Sequence, residues 1–361
     1  MRRPSFRSFQ VATAATVCLA VAACSPGGKA AAPPPTPQAT AAPAPPSLDP
    51  PAGAASVGLA LGVAGPDLLL TWVEPSGSFA TPIFEMRLSR FSGGRWSVPV
   101  TVAKGTDLLA NWADFPGVIA QPGGGLFAHW LIKKGEGYGI EVAHSKDGGA
   151  TWSPLGALAA DPSAGEHGFL SYAPEGDGVR AFWLEGSEGG AASLRSARLH
   201  PSGQSPIGPI ELLDDRVCDC CQTSAALTAS GPVVVYRDRS DKEIRDISAL
   251  RHTAAGWGKP VAVHADGWEI PGCPINGPAA AAEERRVAVA WFTSAPPGPR
   301  VEVAFSEDAG ASFGPAVVVD AGRPVGRVDL KLEPSGAALV SWVAPTATAG
   351  SDKAAIWLRR V

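Results

Sequence analysis

The sequence predicts an all-β fold, a six-bladed β-propeller with four-stranded blades, and three observations predict it. With 42 Gly, 35 Pro and 11 Trp against 2 Met, the composition fits short strands broken by turns and argues against long helices. One kind of segment, an apolar run ending in a large aromatic, recurs six times. The recurrence is regular, and regular recurrence at about fifty residues is the mark of a repeat architecture.

The six runs end at Trp72, Trp130, Trp183, Tyr236, Trp291 and Trp342, at successive spacings of 58, 53, 53, 55 and 51 residues. Leu68-Leu69-Leu70-Thr71-Trp72 and Val233-Val234-Val235-Tyr236 show the pattern, whose unbroken apolar character suits a strand covered on both faces. An apolar strand and a Gly- or Pro-rich turn precede each run. A third strand follows, as in Val301-Glu302-Val303-Ala304-Phe305, and then a fourth, as in Ala316-Val317-Val318-Val319. Four short strands per unit make a propeller blade, where a β-sandwich would not need so even a repeat. The blades are expected near 55–107, 108–161, 162–214, 215–266, 267–320 and 321–361. The last repeat stops on its third strand at Arg359-Arg360-Val361, so its fourth is missing or comes from around Ser47–Ala55.

Ahead of the repeats, Arg2, Arg3 and Arg7 lead into an apolar stretch, Val11–Ala23, too short to span a bilayer. It ends Val21-Ala22-Ala23-Cys24, which resembles a bacterial lipobox and implies a signal peptide over 1–24 with Cys24 as the lipidated residue. Residues 25–54, rich in Pro and Ala, read as an extended tether. The expected location is the bacterial cell envelope, on the outer membrane or the periplasmic face. The lipid would be the only membrane contact. A net charge of −4 with 18% charged residues gives no electrostatic footprint for nucleic acid. A monomer is expected.

Between strands three and four lies a sharper motif. Ser145-Lys146-Asp147-Gly148-Gly149-Ala150-Thr151-Trp152 matches Ser-x-Asp-x-Gly-x-Thr-Trp, and Ser306-Glu307-Asp308-Ala309-Gly310-Ala311-Ser312-Phe313 matches with conservative changes. In such a turn Ser145 or Ser306 starts the bend and Asp147 or Asp308 bonds backbone N–H groups. Gly149 or Gly310 supplies the left-handed position, and Trp152 or Phe313 packs between strands. This is the Asp box, and from residue 55 onward the chain resembles the sialidase superfamily of propellers.

Strand order places these turns on one face of the ring, and the two-to-three loops and blade-to-blade connections on the other. That other face collects Trp112, Asp114, Glu166, His167, Asp266, Trp268, Asn276 and Arg327, with a charged loop, Tyr236 to Asp246, in blade four. Of the cysteines, Cys218, Cys220, Cys221 and Cys273 converge there, because 221 and 273 are one repeat apart. In an oxidising envelope disulfides involving Cys273 are expected. The alternative is a thiolate site for copper(I) or zinc. No cofactor is otherwise required.

The resemblance implies a cleft opposite the Asp boxes, with three arginines on a substrate carboxylate, a Tyr–Glu nucleophile pair and an Asp acid/base. The candidates by position are Asp114, Tyr236, Arg237, Asp238, Arg239 and Arg327, with Trp112, His167, Asp266, Trp268 and Asn276 as ligand contacts. The Phe/Tyr-Arg-Ile-Pro signature that supplies the first arginine is absent. The first expectation is therefore a propeller that binds a glycan or protein ligand in the envelope. The alternatives are a divergent exo-glycosidase and a metal or redox propeller built on the cysteines.

Overall fold

The computed structural model describes residues 48–78, 81–159, 165–186, 190–201, 203, 205–346 and 353–361. The expected signal peptide, Cys24 and nearly all of the expected tether lie outside them.

The described residues form six antiparallel sheets in chain order, the six blades of a β-propeller. Blade three shows the plan, with strands His167–Glu175, Gly178–Glu185, Ala192–Leu199 and Glu211–Val217 hydrogen-bonded in sequence. Blades one, two and four add short strands to the same plan, and blade six has three strands, Gly326–Leu332, Ala338–Pro345 and Ala354–Arg360.

The second strand of each blade shows why its sequence reads as continuously apolar. In Gly231–Arg237 of blade four, Val233 and Val235 pack toward blade five, and Val234 and Tyr236 pack toward blade three. Successive side chains point to opposite faces of a strand, and here each face meets a neighbouring blade. The five apolar clusters of the core are accordingly the five interfaces between consecutive blades. At the ends of the series, Leu61 and Val63 of blade one and Ile356 and Leu358 of blade six are exposed.

The aromatic ending the second strand faces the preceding blade, and in blades four, five and six it bonds a carboxylate in or just past that blade's outer strand. Tyr236 Oη donates to Asp214 Oδ2 at 2.7 Å, Trp291 Nε1 to Asp266 Oδ2 at 2.8 Å and Trp342 Nε1 to Asp320 Oδ2 at 2.7 Å. A large apolar ring with one polar atom thus fills the interface and satisfies a buried acceptor together. Trp72, in blade one, donates instead to Glu74 on its own strand, at 2.8 Å.

On the opposite face from the connections, the two Ser-x-Asp-x-Gly turns have matching geometry. Asp147 Oδ1 accepts from Ser145 Oγ (2.8 Å) and Thr151 N (2.9 Å), and Ser145 Oγ accepts from Gly149 N (2.8 Å). Asp308, Ser306, Ser312 and Gly310 repeat these bonds at 2.7 to 2.9 Å. Gly149 and Gly310 have φ of 102° and 81°, a region glycine enters without cost. Each turn also reaches the blade before it. Arg90 donates to Gly148 O and Arg251 to Asp308 O, at 3.2 and 3.5 Å.

Candidate functional site

The face carrying the blade connections holds a cleft over blades two to four. A recess of about 150 Å³ is lined by Tyr138, Glu166, Gly168, Phe169, Leu184 and Asp219. A wider hollow of about 630 Å³ is lined by Asp219, Arg239, Glu243, Arg245, Pro271 and Cys273. Asp219 and Gly190 belong to both, so the two are parts of one depression.

Each wall has a local cause. Tyr138 stands at the start of blade two's third strand, just past its two-to-three turn, and pairs with Glu166 through an isolated backbone bridge. Its hydroxyl donates to the Glu166 carboxylate. Burial, then the neighbouring Asp114 and Glu166 charges, push the phenol above its ordinary range. Asp219 lies in the connection from blade three to blade four, its carboxylate 3.4 Å from Arg245. Arg239 and Arg245 both come from blade four's two-to-three loop and converge on Glu243. Arg239 contacts it at 3.0 to 3.1 Å and Arg245 at 2.9 Å. The Arg239 bond first, then that of Arg245, holds the Glu243 carboxyl below the usual carboxylate range. The cleft therefore offers a Tyr–Glu pair, one further carboxylate and an arginine pair already balanced by Glu243.

Of the residues expected from sequence, Glu166, Arg239 and Cys273 line the cleft. Trp112, 69% exposed, carries the Arg327 guanidinium over its ring at 5.6 Å, leaving an open aromatic face beside a cation. The others are framework. Arg237 is 1% exposed, and its guanidinium donates to the carbonyls of Asn276, Arg245 and Phe292 at 2.6 to 3.0 Å while lying over Trp268 at 4.9 Å. Tyr236 is committed to Asp214. Asp238 accepts from Arg239 N and Ser248 Oγ. Asn276 ties blade five to six, accepting from Arg327 N at 2.8 Å and donating to Val325 O at 3.2 Å. His167 is 2% exposed against Glu185. Asp266, with a fully buried side chain, binds Trp291, His264 and Arg300.

Asp114 lies directly behind the recess rather than in it. It is 3% exposed and accepts from Phe169 N at 2.7 Å. A side chain on Gly168 would strike its Oδ2, so that glycine is what lets blade three close over it. Burial raises the Asp114 carboxyl to about 7.

The cysteines meet at the cleft's edge. Cys220 and Cys273 form a disulfide, and Cys218 and Cys221 are buried free thiols. Cys218 Sγ is 3.5 Å from Cys221 Sγ, 3.8 Å from Cys220 Sγ and 3.2 Å from Arg245 Nη1. With Cys220 and Cys273 bridged, Cys218 and Cys221 are the thiols left to act as ligands or nucleophiles.

Sequence reasoning overlooked Tyr138. The readable signal was its place beside the two-to-three turn of blade two, on the face where the connections gather.

No family model matches the sequence, and no curated protein matches it. Among solved structures, the chain resembles an α-L-arabinanase of Penicillium chrysogenum complexed with arabinobiose, with 13% identity and a TM-score of 0.52. The match covers 84% of this chain and 93% of that one. It also resembles an α-L-arabinofuranosidase of Fusarium graminearum with arabinobiose, with 14% identity, a TM-score of 0.52 and coverage of 85% and 93%. At these identities the likeness is one of fold: a β-propeller architecture shared with glycoside hydrolases.

Proposed function

We propose that the chain is a divergent glycoside hydrolase whose glycan enters the cleft over blades two to four. The observation that carries this is the Tyr138–Glu166 pair facing Asp219 across a recess that opens into a larger polar hollow. A tyrosine is a poor nucleophile until its proton has somewhere to go, and Glu166 is positioned to take it. Asp219, on the far wall of the recess, is the further carboxyl there to exchange a proton with a leaving oxygen and with water. Arg239 and Arg245 supply cationic contacts for a substrate carboxylate or hydroxyls, as a sialidase-type substrate would need, and Trp112 supplies a stacking face. The fold shared with an arabinanase and an arabinofuranosidase makes neutral furanosides a second substrate class to try.

A panel of fluorogenic glycosides, sialosides and α-L-arabinofuranosides included, tests the reading. Turnover of one, with kcat lowered about 10²–10⁴-fold in Tyr138→Phe and Glu166→Gln, is the expected result. The second reading, an envelope propeller that binds a glycan or protein without turnover, draws on the pairing of both arginines with Glu243. Binding on a glycan array with no hydrolysis anywhere on the panel would favour it and sink the enzyme.

A further inference from the structure

Four cysteines sit at one edge of the cleft in two oxidation states, a bridged pair and a dithiol pair, close enough to exchange. Cys218 and Cys221 are spaced as Cys-x-x-Cys, are both buried and face each other at 3.5 Å. Cys218 also lies 3.8 Å from a sulfur of the Cys220–Cys273 disulfide. Cys273 is exposed and lines the larger hollow. We propose that these residues form a thiol–disulfide exchange relay, in which the surface disulfide Cys220–Cys273 passes its oxidation to the inner pair Cys218/Cys221 and Cys273 emerges as a thiol in the cleft, open to low-molecular-weight thiols and disulfides. The proposal is independent of the glycosidase reading.

The steps conserve atoms and electrons. Cys218 thiolate attacks Cys220 Sγ; the Cys220–Cys273 bond breaks and the electron pair leaves on Cys273, which takes a proton from solvent. Cys221 then gives up its proton and attacks Cys218 Sγ. The Cys218–Cys220 bond breaks, and Cys220 leaves as thiolate and is protonated. One disulfide and two thiols exist before and after. A small disulfide RSSR entering the hollow can next be attacked by Cys273 thiolate, releasing RS⁻. Cys220 then displaces the second RS⁻, restoring the surface bridge while the inner one persists. Two protein thiols are oxidised and RSSR is reduced to two thiols.

The surroundings suit the first attack. A guanidinium 3.2 Å from Cys218 Sγ and the hydrogen bond shared with Cys221 favour the thiolate, and the thiolate is the attacking species. The hydrogen bond to Cys221, first, and Arg245 hold Cys218 below the ordinary thiol range, while burial raises Cys221. Cys218, the thiol beside the bridge at 3.8 Å and beside Arg245, is the inner nucleophile, and Cys221, in contact with Cys218 at 3.5 Å, is the resolving group.

The test uses the full chain purified without reductant, incubated at neutral pH, quenched in acid and alkylated, with thiols and bridges located by peptide mass spectrometry. Wild-type protein should show a population labelled at Cys273 with Cys218 and Cys221 bridged. In Cys221→Ser the intermediate, Cys218–Cys220 bridged with Cys273 labelled, should accumulate. In Cys218→Ser labelling at Cys273 should fall at least tenfold. Should Cys218→Ser fail to fold, Arg245→Gln serves in its place, slowing the appearance of labelled Cys273 with folding followed by circular dichroism. Added oxidised glutathione should yield two bridges in the wild type. Four free thiols, a metal ion held by the cysteines, or a Cys220–Cys273 bridge equally inert in wild type and Cys221→Ser would each overturn the relay.

Discussion

Asp114 shows how one residue ties the frame to the site. Its carboxyl, raised to about 7 by burial, sits behind Tyr138 and holds Phe169 in a left-handed conformation through a 2.7 Å bond. The sign of its effect on folding follows from proton binding. Between about pH 4, where the unfolded carboxyl ionises, and about pH 7, the folded state retains a proton that the unfolded state has lost. Stability from this group is therefore present at the acid end of the window and lost as pH rises through it, with a ceiling on the order of 4 kcal/mol. Asp114→Asn, which keeps an acceptor and cannot ionise, should flatten this slope. Chemical denaturation at pH 4 and pH 7 measures it, and an unchanged slope would contradict the assignment. Arg237 makes the complementary point. Its charge marked it in the sequence as a site residue, yet its partners are backbone carbonyls of Arg245, Asn276 and Phe292. Such partners leave no trace in side-chain pattern, so a buried structural cation and a catalytic one read alike.

At the scale of the element, the turns were legible because their chemistry is local. Serine, aspartate and glycine within five positions close the bend by themselves, and the structure shows those bonds in both copies. Gly149 carries the sharpest demand. Its φ is 102°, and an added Cβ would meet Leu88 Cδ2 of blade one at 2.8 Å. Gly149→Ala should cost about 1–3 kcal/mol, read as a lowered Tm. A Tm within experimental error of wild type would refute the tight fit. The second strands were legible for a related reason, since a strand covered on both faces is apolar at nearly every position. The cleft as a whole was not. Glu166 and the charged loop of blade four could be placed on one face, but which of that face's residues meet depends on contacts between blades, and Tyr138, Glu166 and Asp219 come together only through the ring.

At the scale of the whole molecule, a carboxylate of one blade answering the aromatic of the next is the joint that recurs from blade three to blade six. Asp266 is the most heavily used, with Trp291, His264 and Arg300 all bonded to it and none of its side chain exposed. Asp266→Ala should destabilise the fold by about 3–5 kcal/mol, because Arg300 would be left partly unpaired in the interior. A glycan-binding role for Asp266 predicts instead a stable protein with weakened binding, so thermal denaturation beside a binding assay separates the two. The series of interfaces has a further consequence for the cleft. Blades two to five are each braced on both sides, whereas blades one and six are braced on one side by the described residues. Fraying that starts at either exposed end must cross at least one intact interface before it reaches the walls holding Asp219, Arg239 and Arg245. Tyr138, Glu166, Asp219, Arg239 and Arg245 thus ride on blades packed on both sides, and breathing at the ends need not disturb their spacing.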